Sequence, residues 1–384
     1  MIAGVVDETC TDERRVAVVP AEVTSLTKLG LGVVVQRGAG QSAGFPDGEY
    51  EARGARLASS RAQVFDSAEL LVRLHPFGGE HGAADLELVR PGRAVLGLLN
   101  PFGNREDVEQ LAKRQVTSFA FELLPRISRA QSMDALSSMA TIAGYKAVLL
   151  AASGLDKICP MMITAAGTIS PARVFVVGAG VAGLQACATA RRLGAVVEAY
   201  DVRPAVKEQV ESLGVKILEL ALETVAAEAR GGYAQAMGED FYRQQRDLMM
   251  RAVANSDMVI STAAVPGQRA PILLTEAMIQ RMRPGSVVVD LVAESGGNCE
   301  LTKPGQSVDC GGVTILGPIN LPSTVPHHAS QMYARNVTSF LRNLVKDQKL
   351  DHDSADEIVR EAMLTRGGRV VNERVRKAFD FPSR

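Results

Sequence analysis

The sequence contains no tryptophan, and aromatic residues make up only 4% of its 384 positions. Proteins that bind single-stranded nucleic acid stack bases on aromatic side chains, so this composition argues against that class. The formal net charge is −1. It gives no electrostatic reason to expect nucleic acid or an acidic membrane surface as a direct partner.

Cysteines are also few, and none forms a CxxC pair: Cys10, Cys159, Cys187, Cys299 and Cys310. This odd, scattered set indicates reduced thiols in a cytosolic protein, and we predict neither a disulfide framework nor a metal site. The N-terminus lacks a basic region followed by an apolar core, so no signal peptide is predicted. No run approaches the roughly 18 apolar residues of a membrane helix, and we expect a water-soluble protein.

Apolar residues, by contrast, are plentiful at 46%, and the length suggests two domains of about 150 residues or more. Short β-branched runs such as GVVVQR (32–37) and SVVVDLVA (286–293) alternate with helix-like segments in both halves of the chain. Continuous apolar strands separated by helices are typical of parallel sheets covered on both faces. The pattern predicts an α/β protein with two Rossmann-like parallel-sheet domains, separated by a cleft and linked by long helices.

The domain limits follow from the long helix-like segments between the strand sets. We predict a discontinuous first domain, residues 1–131 plus 328–384, and a second, Rossmann-like domain at 155–327. Residues 132–154 are predicted to form one linking helix. The final stretch, 349–384, is charged and weakly patterned, and we expect it to pack onto the surface.

The segment RVFVVGAGVAGLQ (173–185) carries the strongest single motif. A strand runs into Gly178-x-Gly180-x-x-Gly183, and a helix follows. Gly178 permits a tight turn, Gly180 lets the backbone approach a pyrophosphate, and Gly183 lets the helix pack closely on the strand. The free N–H groups at the start of the helix favour a negative charge.

The next strand ends in Asp201, 18 residues beyond Gly183. An acid there accepts hydrogen bonds from the adenosine ribose and repels a 2′-phosphate, which favours NAD over NADP. Arg203 points the other way, because an NADP site uses a nearby arginine. With strand, glycines, helix and terminal acid in place, we predict an NAD site.

Two further segments contain more functional groups than the fold requires. A loop at about 222–250 contains GGYA, and we predict a mobile lid over the cofactor; the alternative is a solvated loop in which Tyr233 packs locally. PRISRAQSMD (125–134) precedes a helix, and capping could account for Ser128, Gln131 and Asp134. Capping does not require the arginines of this segment, and we expect them at the mouth of the cleft, with Asp134 holding Arg126 in a bidentate pair.

Ten short stretches together resemble the NAD(H)-binding component of proton-translocating, Si/Re-specific NAD(P) transhydrogenase, over essentially the whole chain. They are PRISRAQSMD, LSS, AGY, PMMITAAGTI, GAGVAGLQA, YDVR, EQVESLG, GGYA, RAPILLTE and ESGGNC. RISRAQSMD is the most specific of them. The resemblance implies hydride transfer between NADH on this chain and NADP⁺ on a partner subunit, coupled to proton translocation through a separate membrane subunit.

The resemblance also implies which residues act. Arg126, Gln131 and Asp134 match the loop that organises the meeting place of two nicotinamides in that family, and we assign them the catalytic role. The same segment supplies further cofactor contacts: Ile127, Ser128, Arg129, Ser132, Met133 and Ser137. The remaining implied contacts lie on the Rossmann domain: Gly178, Ala179, Gly180, Val181, Gly183, Asp201, Val202, Arg203, Gly232, Tyr233, Gln245 and Ala264.

Assembly and location are likewise implied by the resemblance alone. It implies a homodimer that is cytoplasmic and peripherally attached to the cytoplasmic face of the inner membrane through the NADP(H)-binding and proton-channel subunits. Only one complete dinucleotide fingerprint is present in the sequence, so the NADP(H) site must come from a partner.

Two alternatives remain. Alanine dehydrogenase has the same fold, and Arg15 matches its substrate-carboxylate arginine. However, Arg73 and Asn100 stand where its catalytic lysine and histidine are matched, and neither shuttles a proton near neutral pH. Hydride transfer between two nicotinamides needs no acid or base, which favours the transhydrogenase. The second alternative is a non-catalytic NAD(H) sensor.

Overall fold

The computed structural model describes residues 1–77, 79–219, 228–229, 233–234, 239–265, 268–352 and 355–381. The chain divides into two compact units. The first comprises residues 1–139 with 322–384, and the second comprises residues 140–321. Each unit contains one main β-sheet.

The strands, in chain order, are β1 (Ile2–Val5), β2 (Gly32–Gln36), β3 (Arg56–Ala58), β4 (Leu70–Val72), β5 (Ala94–Gly97), β6 (Thr117–Ala120), β7 (Met162–Thr164), β8 (Gly167–Ile169), β9 (Arg173–Val177), β10 (Val196–Tyr200), β11 (Lys216–Leu218), β12 (Glu228–Ala229), β13 (Tyr233–Ala234), β14 (Met258–Ser261), β15 (Val287–Asp290), β16 (Ser307–Cys310), β17 (Val313–Leu316), β18 (Val345–Lys346), β19 (Lys349–Leu350), β20 (Met363–Arg366) and β21 (Arg369–Val370). The α-helices are α1 (Pro20–Lys28), α2 (Asp47–Ala52), α3 (Arg61–Ser67), α4 (Gly79–Leu88), α5 (Arg105–Lys113), α6 (Ala135–Gly154), α7 (Val181–Arg192), α8 (Lys207–Ser212), α9 (Glu239–Ala254), α10 (Glu276–Ile279), α11 (Pro326–Leu344), α12 (Glu357–Ala362) and α13 (Glu373–Ala378).

The sheet of the first unit has eight strands in the order β21-β20-β6-β5-β4-β1-β2-β3. The six strands from β3 to β6 all pair in parallel. Val5, Leu71 and Val95 on three of these strands are buried in the core. Because helices cover both faces of such a sheet, its strands need apolar side chains at nearly every position.

The C-terminal segment completes this sheet instead of lying on its surface. β20 pairs antiparallel with β6, and β21 pairs antiparallel with β20. Leu364 and Thr365 are fully buried, and the Thr365 hydroxyl lies 2.6 Å from the Ser118 hydroxyl. The expectation of surface packing was therefore wrong for these strands, because a four-residue run carries too little periodicity to reveal a partner far away in sequence.

The sheet of the second unit has seven strands in the order β11-β10-β9-β14-β15-β17-β16. All neighbours pair in parallel except β16, which pairs antiparallel with β17 at the edge. Its first strand, β9, lies in the middle of the sheet. The next strands, β10 and β11, are added on one side of β9, and β14 is then added on the other side. That reversal is the topological switch point, where open α/β sheets bind ligands at the carboxyl ends of their strands.

Helix α6 connects the two units along the chain. Asp134 is its cap, because the Asp134 Oδ1 accepts a hydrogen bond of 2.9 Å from the Ser137 N–H. Among the described residues, α6 is long and apolar enough to cross a membrane by length and composition, so the expectation that no stretch comes close was wrong. Ala147, Val148 and Ala151 of α6 are fully buried in the core of the second unit, and a core helix needs the same composition.

Candidate dinucleotide site

The three glycines of the fingerprint form a tight turn between β9 and α7. Gly178 has a φ of +89°, and a Cβ there would lie 2.8 Å from the Thr262 Oγ1. A Cβ at Gly183 would lie 1.8 Å from the Gly178 carbonyl oxygen, which no side chain tolerates. A Cβ at Gly180 would meet only the Arg203 guanidinium, at 3.9 Å. Gly178 and Gly183 are therefore required by the protein itself, whereas Gly180 leaves open the space that a pyrophosphate needs.

Asp201 follows β10 and bonds back to this turn. Its carboxylate accepts hydrogen bonds from the Ala179 N–H at 2.7 Å and the Arg203 N–H at 2.9 Å. The Arg203 side chain folds back on the same carboxylate, with its Nε 2.9 Å from Oδ1 and its Nη2 2.8 Å from Oδ2. Arg203, the residue that favoured an NADP site, thus compensates the charge of Asp201, the residue that favours NAD. These groups fit the ribose and pyrophosphate of a dinucleotide.

A third segment closes the turn from the β14 side. The Thr262 hydroxyl donates to the Gly178 carbonyl at 2.9 Å, and Ala263 is held through both its backbone polar groups by the Asn298 side chain. The predicted contact residue Ala264 comes next in the chain. Sequence reasoning missed Thr262 and Asn298. The motif ESGGNC, which follows a strand, was the available signal for Asn298.

Gln245 lies on α9 and is buried. Its Nε2 donates to the hydroxyl of Tyr200, the residue before Asp201, at 3.0 Å. Burial raises the pKa of Tyr200 to about 12, although the bond from Gln245 lowers it. Gly232 lies outside the described residues, as do residues 222–227, 230–231 and 235–238 of the predicted loop and the side chain of Tyr233. Residues 239–250 of that loop belong to α9.

The segment RISRAQSMD belongs to the first unit and forms a 3-10 turn, Ser128–Met133, ahead of α6. Arg126 and Gln131 are exposed, while Met133 is buried and anchors the turn. Asn336 of α11 donates from its Nδ2 to the Ser132 carbonyl at 2.9 Å. Met133 and the bond from Asn336 therefore hold the turn in place, while the side chains of Arg126 and Gln131 are exposed.

Capping explains only part of this segment. Both oxygens of Asp134 accept from Ser137, one from the backbone N–H and one from the hydroxyl. Ser128 lies inside the 3-10 turn and does not cap α6. Arg129 pairs with Asp356, with its Nη2 3.0 Å from Oδ1, and Asp356 in turn caps α12 through the Ile358 N–H. Arg129 thus ties the turn to the C-terminal segment; its predicted role as a cofactor contact, like the bidentate pair of Asp134 with Arg126, stays a prediction.

The first unit also contains a buried charge network that the sequence did not indicate. Glu13 is bound by the Arg15 side chain, with Nε–Oε1 at 2.8 Å and Nη2–Oε2 at 2.6 Å, and by the His75 ring at 2.5 Å. Burial opposes the charge of Glu13, but the hydrogen bonds from Arg15 and His75 outweigh it and hold the pKa of Glu13 well below its usual range. Glu13 is therefore ionised at neutral pH.

Arg73 and Asn100, which are matched to the catalytic lysine and histidine of alanine dehydrogenase, are held by other groups of the protein. Arg73 is 2% exposed, pairs with Asp85 at 2.7 Å and lies 4.2 Å from the centre of the Phe77 ring. Asn100 adopts a φ of +46°, and its N–H donates to the Glu122 carboxylate at 2.8 Å. An arginine and an amide so placed cannot exchange a proton with a substrate near neutral pH.

Replacing Glu13 with glutamine is expected to lower the free energy of unfolding by about 3 kcal/mol near neutral pH, because buried Arg15 loses its charged partner. Since the pKa of Glu13 is lowered by folding, its contribution is fully present above the unfolded value of about 4.3 and is lost as the pH falls below it. Denaturant unfolding of both proteins at several pH values measures this. A difference that did not shrink below about pH 4 would contradict the ion-pair explanation.

Two family models match this chain and together cover nearly all of it. The N-terminal domain of alanine dehydrogenase/PNT matches residues 4–143, and the C-terminal domain of alanine dehydrogenase/PNT matches residues 147–373. The chain belongs to the alanine dehydrogenase/PNT family. The family predicted from the sequence motifs is therefore confirmed.

Within this family, the sequence is similar to transhydrogenase subunits. It is 47% identical to the first of the NAD(P) transhydrogenase subunit alpha polypeptides of Rhodospirillum rubrum over 364 residues, which covers 94% of this chain and 95% of the relative. It is 41% identical to NAD(P) transhydrogenase subunit alpha of Cereibacter sphaeroides, over 96% of this chain and 71% of that protein. Similarity to alanine dehydrogenase of Methanococcus maripaludis is lower, at 26% over the whole chain.

Solved structures give the same order of similarity. A transhydrogenase from Sinorhizobium meliloti has a TM-score of 0.84 and 42% identity, covering 97% of this chain and all of that chain. An L-alanine dehydrogenase has a TM-score of 0.82 and 27% identity, covering 99% of both chains. The predicted fold class of two Rossmann-like α/β domains is confirmed.

Proposed function

We propose that this chain is the NAD(H)-binding subunit of a proton-translocating NAD(P) transhydrogenase, and that it transfers hydride directly between NADH and NADP⁺ bound on a partner subunit. Its cofactor is NAD(H), as predicted, and it is homologous to transhydrogenase alpha subunits. The observation that favours hydride transfer over amino acid oxidation is that Arg73 is buried and paired with Asp85. A buried guanidinium in an ion pair stands where an amino acid dehydrogenase would need a proton acceptor.

The balance of the reaction explains why no such group is needed. NADH gives one hydride to NADP⁺, which yields NAD⁺ and NADPH, and no other bond forms or breaks. The bound dihydronicotinamide supplies the hydride. The protein therefore acts by position: donor and acceptor carbons must come within about 3–3.5 Å, in a site closed to water.

The proposed site residues have separate tasks. In the second unit, the turn at Gly178–Gly183 receives the pyrophosphate, and Asp201 holds the adenosine ribose. In the first unit, Arg126 and Gln131 orient the nicotinamide, and Asp134 fixes the end of their segment through Ser137. No step in this scheme requires a metal ion or a general acid.

The proposed partners are an NADP(H)-binding subunit and a membrane subunit that conducts protons. The sequence has one dinucleotide fingerprint, so a second nucleotide must be held elsewhere. The chain is then cytoplasmic and attached to the membrane only through these partners.

A homodimer is part of the same proposal. The hairpin β7–β8 is exposed along its length, with Ile163 in its first strand 79% exposed and the adjoining Met161 59% exposed. An isolated two-stranded hairpin is marginally stable in water, so an apolar one needs a surface to pack on. Sedimentation analysis is expected to give twice the mass of the chain, with the variant Ile163→Asp shifted towards monomer; a monomeric wild type would contradict the dimer.

The deciding experiment is a transfer assay with purified components. The chain, NADH and the NADP-binding partner are mixed with an NADP⁺ analogue whose reduced form absorbs at its own wavelength. We expect reduction of the analogue that depends on both proteins. NADH binding without transfer would favour the sensor alternative. Robust NADH formation from NAD⁺ and L-alanine, without any partner, would favour the amino acid dehydrogenase.

A further inference from the structure

Asn298 is fully buried in the second unit, directly after the turn that ends β15. Its side-chain oxygen accepts from the Ala263 N–H at 3.0 Å, and its Nδ2 donates to the Ala263 carbonyl at 2.9 Å and to the Pro271 carbonyl at 2.8 Å. One side-chain amide thus satisfies both backbone groups of Ala263. In a sheet, a neighbouring strand pairs with the N–H and the carbonyl of a residue; here the Asn298 side chain pairs with both groups of Ala263.

A buried carboxylate holds Asn298 in place. The Asp290 Oδ2 accepts from the Asn298 N–H at 2.7 Å, the Cys299 N–H at 3.0 Å and the Thr302 hydroxyl at 2.7 Å. Gly297, with a φ of +75°, makes the sharp bend that brings the chain back to this acid, and a Cβ there would lie 3.0 Å from the Asp290 Oδ2. The motif ESGGNC therefore builds a rigid mount for one amide side chain.

The clamped residue lies on a particular side of the dinucleotide turn. β9 is flanked by β10, which ends just before Asp201, and by β14, which leads into Thr262 and Ala263. A dinucleotide lies across the carboxyl ends of the strands at such a switch point. With the adenosine ribose at the end of β10, the nicotinamide half extends towards the end of β14.

We propose that Asn298 is a positioning residue for the nicotinamide half of the cofactor, acting through the backbone of Thr262–Ala264. This rests on the proposed function. Strand β14 ends at Ser261, so Ala263 lies beyond the part that pairs with neighbouring strands. The Asn298 amide supplies such hydrogen bonds for Ala263 instead. The segment thereby keeps one shape beside the glycine turn, to which Thr262 is bonded. Without this clamp, both polar groups of Ala263 lose their partners and the segment rearranges.

The test compares two ligands that differ only by the nicotinamide: NADH and ADP-ribose. For Asn298→Ala, we expect the dissociation constant of NADH to rise by about tenfold and that of ADP-ribose to change by less than about twofold. NADH fluorescence gives the first measurement because the dihydronicotinamide ring is itself fluorescent; calorimetry gives the second because ADP-ribose lacks that ring. The milder variant Asn298→Ser, which keeps one donor, is expected to show a smaller effect in the same direction and serves if the alanine variant does not fold.

Thr302→Val is the matched control, since it removes a different hydrogen bond to Asp290 without touching Ala263. It is expected to lower the melting temperature but to leave the ratio of the two dissociation constants as in wild type. Equal weakening of NADH and ADP-ribose by the Asn298 variants, or no weakening of either, would overturn the inference. Failure of the wild type to bind NADH would instead overturn the proposed function.

Discussion

Replacing Arg126 with alanine is expected to reduce the rate of hydride transfer by about 100- to 1,000-fold while changing the dissociation constant of NADH by less than about threefold. Arg126 is exposed at the start of a fixed turn in the first unit. The groups that fit the pyrophosphate and adenosine ribose, at the glycine turn and Asp201, belong to the second unit. Under the proposed function, losing Arg126 is therefore expected to disturb the orientation of the nicotinamide and to leave most of the binding intact.

Two further variants sharpen this prediction. Arg126→Lys keeps the charge but loses the planar, multidentate guanidinium, and we expect it to recover only a small part of the rate. Arg129→Ala removes the pair with Asp356, so it is expected to lower stability. Single-turnover transfer with the partner subunit, alongside NADH titration, gives both quantities. If Arg126→Ala weakened binding and transfer by the same factor, the segment would be structural and the proposed role of Arg126 would be incorrect.

Replacing Gly180 with alanine is expected to weaken NADH binding by at least about 100-fold while leaving the melting temperature within a few degrees of wild type. Gly180 has a φ of −74°, which alanine adopts freely, and its Cβ would meet only the Arg203 guanidinium at 3.9 Å. The folded protein accommodates the methyl group. Under the proposed function, a pyrophosphate does not fit beside this methyl group, because the methyl group fills the space through which the pyrophosphate approaches the backbone.

Gly183→Ala is the contrasting variant in the same turn. Its Cβ would overlap the Gly178 carbonyl oxygen, so the packing of α7 on β9 must change. We expect this variant to lose both NADH binding and thermal stability. Thermal unfolding and NADH titration of the two variants therefore give different patterns. Normal NADH binding by a folded Gly180→Ala protein would mean that the cofactor lies elsewhere.

Local sequence determined much of this protein. The apolar runs at 32–37 and 286–293 contain strands β2 and β15, because a doubly covered parallel strand requires continuous apolar side chains. The glycine turn was readable because each glycine answers a steric demand within a few residues of chain. RISRAQSMD and the other motifs sufficed to predict the family.

Tertiary structure alone decided the contacts between residues far apart in sequence. Asp356 pairs with Arg129, Thr365 with Ser118, and Asn298 with Ala263, and none of these pairs leaves a periodic signal in the chain. The buried network around Glu13 was hidden for the same reason, since a charged residue in sequence looks solvated until folding gives it partners. Sequence periodicity reports which face of an element is buried. Which polar group meets which is set only when the elements pack, because each such bond depends on a distance that local sequence does not encode.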